Sequence, residues 1–237
     1  MASIFDYANP TRFMKFSGTL LPWLATIAAL SLVAGLYLGF AAPPDYQQGE
    51  TVKIMFIHVP AALTAEMAYA AMAAASLLGF VNRHPLADVA AKAAAPLGAM
   101  FTALALITGS LWGKPMWGAY WVWDARLTSF LLLLFLYLGY IALWNAFEDE
   151  VRAARAAAVL ALVGAVDLPI IYFSVDWWNT LHQGESILSG KIAPVFLAPL
   201  LLMMLSYALI FVTLWLIAIR TEIIERRARS LMMGAAR

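Results

Sequence analysis

Residues 192–219 read IAPVFLAPLLLMMLSYALIFVTLWLIAI, 28 positions without one charged side chain. About 20 mostly apolar residues are enough to carry a helix across the hydrocarbon layer of a membrane. A run apolar on every side suits a membrane span, whereas a helix on a soluble surface keeps a polar face. Working outward, five further runs meet the same criterion: Leu20–Ala41, Ile54–Val81, Ala93–Leu111, Leu127–Phe147 and Ala156–Phe173. Hydrophobic residues make up 64% of the 237 and charged residues 12%, against roughly 45–50% and ~25% in soluble domains. A soluble globule could not hide so much apolar surface. Soluble enzyme, disordered tail and fibrous repeat are therefore excluded. The expectation is an all-α integral membrane protein of six transmembrane helices, forming a single domain over residues 1–237. The first run is longer than the apolar stretch of a secretory signal, about 7–15 residues, so it reads as a span.

Lysine and arginine divide unevenly between the two sides of this layout. Eleven, among them Arg12, Lys15, Arg83, Arg152 and Arg220, fall on one side, and only Lys53, Lys114, Arg126 and Lys191 on the other. The positive-inside rule makes the first side cytoplasmic, with both termini there. The N-terminal piece, Ile4–Phe16, mixes aromatic and basic residues and is expected along the inner interface. The tail after Arg220 reads as a polar extension of the sixth helix. A net charge of +1 gives no field for nucleic acid. The absence of cysteine excludes disulfides, iron–sulfur clusters and thioether attachment of haem on this chain.

The outer connections hold the unusual chemistry. Residues 112–129 read WGKPMWGAYWVWDARLTS, with Trp112, Trp117, Trp121 and Trp123 inside a short stretch that ends in Asp124 and Arg126. Gly113, Pro115 and Gly118 predict an irregular first half and leave the second half as the candidate helix. An aromatic belt at the interface is the simple alternative. A flat platform for a large planar hydrophobic ligand is the functional one. His58 lies in IMFIHVPAA at the outer end of the second span, and His182 in VDWWNTLHQG beyond Trp177 and Trp178. Each taken alone suits a hydrogen-bonded structural residue. Together, two neutral imidazoles on one side suit the axial pair of a haem iron, whereas zinc is underfilled without cysteine. Arg126 is the cation suited to a haem propionate, with pairing to Asp124 as the alternative. His84, in the inner loop, reads as ordinary. Glu66 and Asp167 lie inside spans and are expected to tie helices together rather than to form a transport path.

The same motifs, WGKPMWGAYWVWDARLTS flanked by IHVPAA and WWNTLHQ, resemble the haem-handling WWD family of cytochrome c maturation (system I), and within it the short six-span branch called haem exporter protein C, CcmC. The resemblance covers nearly the whole chain. It implies non-covalent haem b on His58 and His182, with the tryptophan segment as the platform for the ring. It also implies presentation of that haem to the periplasmic haem chaperone CcmE. The small one-span CcmD would accompany it, and the ATP-driven pair CcmA and CcmB would act with it, in a bacterial inner membrane with the functional face periplasmic. No nucleophile, redox thiol or acid–base dyad appears, so positioning is the one catalytic contribution expected. The competing function is a haem transporter subunit, which predicts a polar path across the bundle.

Overall fold

The computed structural model describes residues 9–182 and 192–235. Its helices are α1 (Pro10–Ala41), α2 (Met55–Asn82), α3 (Pro85–Trp117), α4 (Ala125–Ala146), α5 (Glu150–Gly164), α6 (Asp167–Trp177) and α7 (Pro194–Ala235), with one 3₁₀ turn at Glu50–Ile54. Six helical stretches are long and apolar enough to cross a membrane, α5 and α6 counting as one, Glu150–Trp177. The described residues form no strand. The all-α, six-span expectation therefore holds.

Helix ends follow local chemistry. Asn9 caps α1 through the Thr11 N–H at 2.9 Å, with Pro10 at the first helical position. His84, expected to be an ordinary loop residue, caps α3: its Nδ1 accepts from the Ala87 N–H at 3.2 Å. Asp149 caps α5. Each cap satisfies amide groups that the helix itself leaves unpaired.

Two expectations are corrected, and the fifth span shows a break. From Pro10 onward, the N-terminal piece is the first part of α1 itself and not a separate interfacial segment. Arg220 of α7 donates to the Met14 carbonyl and to the Ser17 hydroxyl, and Arg227 donates to the Thr11 hydroxyl at 3.1 Å. The start of α1 is thus strapped along the end of α7. The fifth span is broken at Ala165–Val166. Pro169 has no N–H to offer the carbonyl four residues back. The Leu168 N–H takes that Ala165 carbonyl instead, at 3.2 Å. The second correction concerns the tryptophan segment, whose first half is helical. α3 runs through Trp112 and Pro115 to Trp117 and stops at Gly118, whose φ of 77° is left-handed. The Gly118 N–H closes onto the Lys114 carbonyl at 3.0 Å. The second half, residues 118–124, is the irregular part.

α2 is the central helix. Ala61, Ala65, Ala68, Tyr69 and Met72 are fully buried along its length. Small side chains let α3 and α7 approach it closely, which is how helices gain packing in lipid. The Tyr137 hydroxyl of α4 donates to the Ala65 carbonyl at 2.7 Å. At the end of the bundle away from the tryptophans, Glu222 takes Lys92 at 2.9 Å and Arg226 at 2.8 Å, while Glu150 takes Arg229 at 2.9 Å. This network ties α3, α5 and α7. The opposite end has no comparable ion network among the described residues, and it opens into a cavity.

Candidate ligand site at the tryptophan-rich end

The cavity has a volume of about 420 Å³. His58, Trp112, Trp117, Trp121, Arg126 and His182 all line it. The two histidine motifs and the tryptophan segment, dispersed along the chain, therefore converge on one space. Trp123, Trp177 and Trp178 do not line it. Trp123 is 74% exposed and meets the cavity wall only through an edge contact on Trp121. Trp177 stacks on Phe173 and meets Trp178 edge-on, away from the cavity.

His58 sits in the first turn of α2. Its Nδ1 lies 3.0 Å from the Ala105 carbonyl and 3.2 Å from the Thr108 hydroxyl of α3. A carbonyl can only accept, so Nδ1 carries the proton and Nε2 keeps its lone pair. Gly109 lies against the ring: a β-carbon there would come within 2.8 Å of His58 Cε1. The Trp112 ring meets His58 edge-on at 5.7 Å, and its indole N–H donates to Gln48 Oε1 at 2.9 Å.

His182 is held from outside any helix. Its Nδ1 faces Asp124 Oδ2 at 3.3 Å, and its ring packs edge-on against Trp117 at 4.9 Å. Asp124 is the N-cap of α4: Oδ1 accepts from the Leu127 N–H at 2.8 Å. Its other oxygen accepts from the Thr180 hydroxyl at 2.6 Å and from the Leu181 N–H at 3.4 Å. Burial raises the Asp124 carboxyl, but the Leu127 and Thr180 hydrogen bonds and the nearby His182 outweigh it and hold the group below its ordinary value. Burial pushes the His182 imidazole down against the upward pull of Asp124, and Arg126 adds to the lowering. Asp124 is thus a carboxylate that accepts from the Nδ1–H of a neutral His182, which again leaves Nε2 with its lone pair. A carboxylate behind an imidazole fixes tautomer and ring orientation for ligation.

The Asp124–Arg126 ion pair, the alternative to a propionate role for Arg126, does not form among the described residues. Both Asp124 oxygens are committed to the cap and to residues 180–182. Arg126 turns the other way and donates from Nη1 to the Ile171 carbonyl of α6 at 3.1 Å. Glu66, one of the two acids inside spans, also lines the cavity. Asp167 is buried, with one carboxylate oxygen unpartnered among the described residues.

The donor set suits a haem-sized planar ligand. Two imidazoles present an unprotonated Nε2, and one guanidinium reaches the same space. The Trp121 indole N–H is buried without a partner among the described residues. Several contributors escape a reading of the sequence. Gln48, Ala105, Thr108, Gly109 and Thr180 act on residues of other segments, and nothing in their own neighbourhoods announces it. Gly118 was visible as a helix breaker, yet its effect on the cavity depends on how α3 docks.

A family model described as "Heme exporter protein C" matches residues 3–234. A protein of that name from Bradyrhizobium diazoefficiens is 60% identical, over 99% of this chain and 90% of its own length. The one from Paracoccus denitrificans is 50% identical over 97% of each chain. The one from Escherichia coli K12 is 48% identical, over 96% of this chain and 93% of its own. Matched along nearly its whole length by the family model and by such relatives, the chain belongs to the Heme exporter protein C family.

Proposed function

We propose that this protein binds haem b non-covalently at the periplasmic surface of a bacterial inner membrane. It presents that haem to the chaperone CcmE in the maturation of c-type cytochromes. CcmD and the ATP-driven pair CcmA and CcmB are its companions in that membrane. One observation carries the reading: His58 and His182 line one cavity, each with Nδ1 tied to an acceptor and Nε2 left for iron.

Bound haem supplies the iron that two imidazoles ligate. The chain's own residues do the rest. Ala105 and Asp124 hold the two rings in the ligating tautomer. Trp112 and Trp117 brace them edge-on, and Trp121 closes the wall. Arg126 supplies the positive charge for a propionate. Reversible ligation without a thioether suits a site that must give its ligand up. The excess of Lys and Arg at the opposite end supports placing this end outside. Beneath the cavity, Ala65, Ala68, Tyr69, Met72, Leu133 and Tyr137 are all fully buried. That packing supports handling at one surface over a path through the bundle.

Absorption spectra of the purified full chain, oxidised and reduced, test the assignment beside His58→Ala and His182→Ala. The expected result is a low-spin six-coordinate spectrum in the wild type and its loss in both variants. Wild-type protein that takes up no haem under any loading condition sinks the reading.

A further inference from the structure

Two hollows meet on α2. One is the ligand cavity. The other is a groove of about 430 Å³ between α2 and α6, walled by Met67 and Ala70 on one side and by Pro169 and Phe173 on the other. It lies within candidate spans, and its rim is open: Met67 is 49% exposed, Phe173 39% and Tyr172 53%. In a membrane that rim faces lipid. The groove follows from the broken span. α6 packs on α4 and stands off α2, whereas α5 packs against α2.

Glu66 and Tyr172 line both hollows. These two side chains are the shared wall between the lipid-facing groove and the space that holds His58, Arg126 and His182. We propose that the groove is a lateral portal. Through it a planar, largely apolar ligand with an acidic edge enters from the lipid layer, past Tyr172. This rests on the haem reading above and adds the direction of entry. A ligand of that class concentrates in the membrane, because burying its apolar faces is favourable. A sideways path spares it passage through water. Its acidic edge then meets Arg126 at the far side of the wall.

The experiment uses the full chain in phospholipid nanodiscs and haemin as probe, offered either from preloaded vesicles or from albumin in solution. Ala70→Trp fills the groove without touching the cavity, and Leu132→Trp, on an exposed face of α4, is the control. Ala70→Leu is a milder filling that guards against misfolding. The expected result is vesicle uptake slowed by about tenfold or more in Ala70→Trp, roughly 1.4 kcal/mol of added barrier. Ala70→Leu should fall between it and wild type, the control should be unchanged, and the saturated spectrum should be identical in all. Equal vesicle uptake in Ala70→Trp and wild type overturns the portal. If that equality comes with loss of co-purifying phospholipid, the groove is an acyl-chain site; if it comes with loss of a bound one-span partner helix, it is a helix-docking face. A wild type that captures haemin by neither route instead breaks the haem reading itself.

Discussion

The two histidines face one cavity from very different supports. His58 stands on the central helix. Its partner is a backbone carbonyl of α3, its ring lies on Gly109, and neither can move without unpacking α2 from α3. His182 lies beyond the end of α6. Its place depends on one carboxylate, Asp124, that at the same time caps α4 and gathers Thr180 and Leu181. The first wall of the site is built into the bundle. The second hangs on a few local contacts centred on one side chain, Asp124, with Trp117 against the ring. A site that must hold a ligand and then release it benefits from that asymmetry: one ligand fixes position, and the other can be withdrawn at the cost of a few hydrogen bonds.

The largest effect should come from attacking the fixed wall. Gly109→Leu puts side-chain atoms where the His58 ring lies. Overpacking of that kind costs roughly 1–3 kcal/mol where the surroundings can yield, and here the yielding group is the ligand itself. Haem affinity is expected to fall by about 100-fold or more, with a change from six- to five-coordinate absorption. A titration showing wild-type affinity would mean that the ring has room that this packing denies it. Next comes the attached wall. Asp124→Ala removes both the cap, worth about 0.5–2 kcal/mol, and the partner of His182, worth about 10–100-fold in ligand affinity. Asp124→Asn keeps the capping oxygen for the Leu127 N–H but puts an NH2 donor, in place of an acceptor, against His182. The Asn variant should therefore retain the thermal midpoint of the wild type while binding haem more weakly. Wild-type haem affinity in the Asn variant would show that Asp124 matters only as a cap.

The fixed part of this contrast was more legible in the sequence than the attached part. Long uncharged runs such as 192–219 encode spans directly, because lipid demands an apolar surface on every side. The convergence of His58, His182 and the tryptophans could be expected from their common side. The tryptophan segment was read with its halves reversed, since Pro115 and Gly113 are tolerated in the last turns of α3 and only Gly118 takes the left-handed conformation that ends it. The contact of Asp124 with His182 was not read from the sequence, because proximity to Arg126 says nothing about which way two side chains leave a helix start. Gly109 and Thr180 could not be found at all: each acts on a residue more than 50 positions away, His58 and Asp124, through the packing of separate elements.

The smallest effects separate the two walls most finely. Thr108 and Thr180 each place one hydroxyl near a histidine assembly. Thr180 donates to Asp124 at 2.6 Å, and the His182 N–H donates to Thr180 at 3.1 Å. Thr108 sits 3.2 Å from His58 Nδ1, but the Ala105 carbonyl is closer and its own hydroxyl already donates to the Leu104 carbonyl at 2.7 Å. A typical hydrogen bond is worth about 0.5–1.5 kcal/mol net. Thr180→Val should therefore speed haem release by about three- to tenfold, since it loosens the attached wall. Thr108→Val should change it by less than about twofold, since the carbonyl still holds the ring. Stopped-flow transfer of haem to an apo-haem acceptor reads both rates. Faster release from Thr108→Val than from Thr180→Val would invert the assignment, making His58 the ligand that yields.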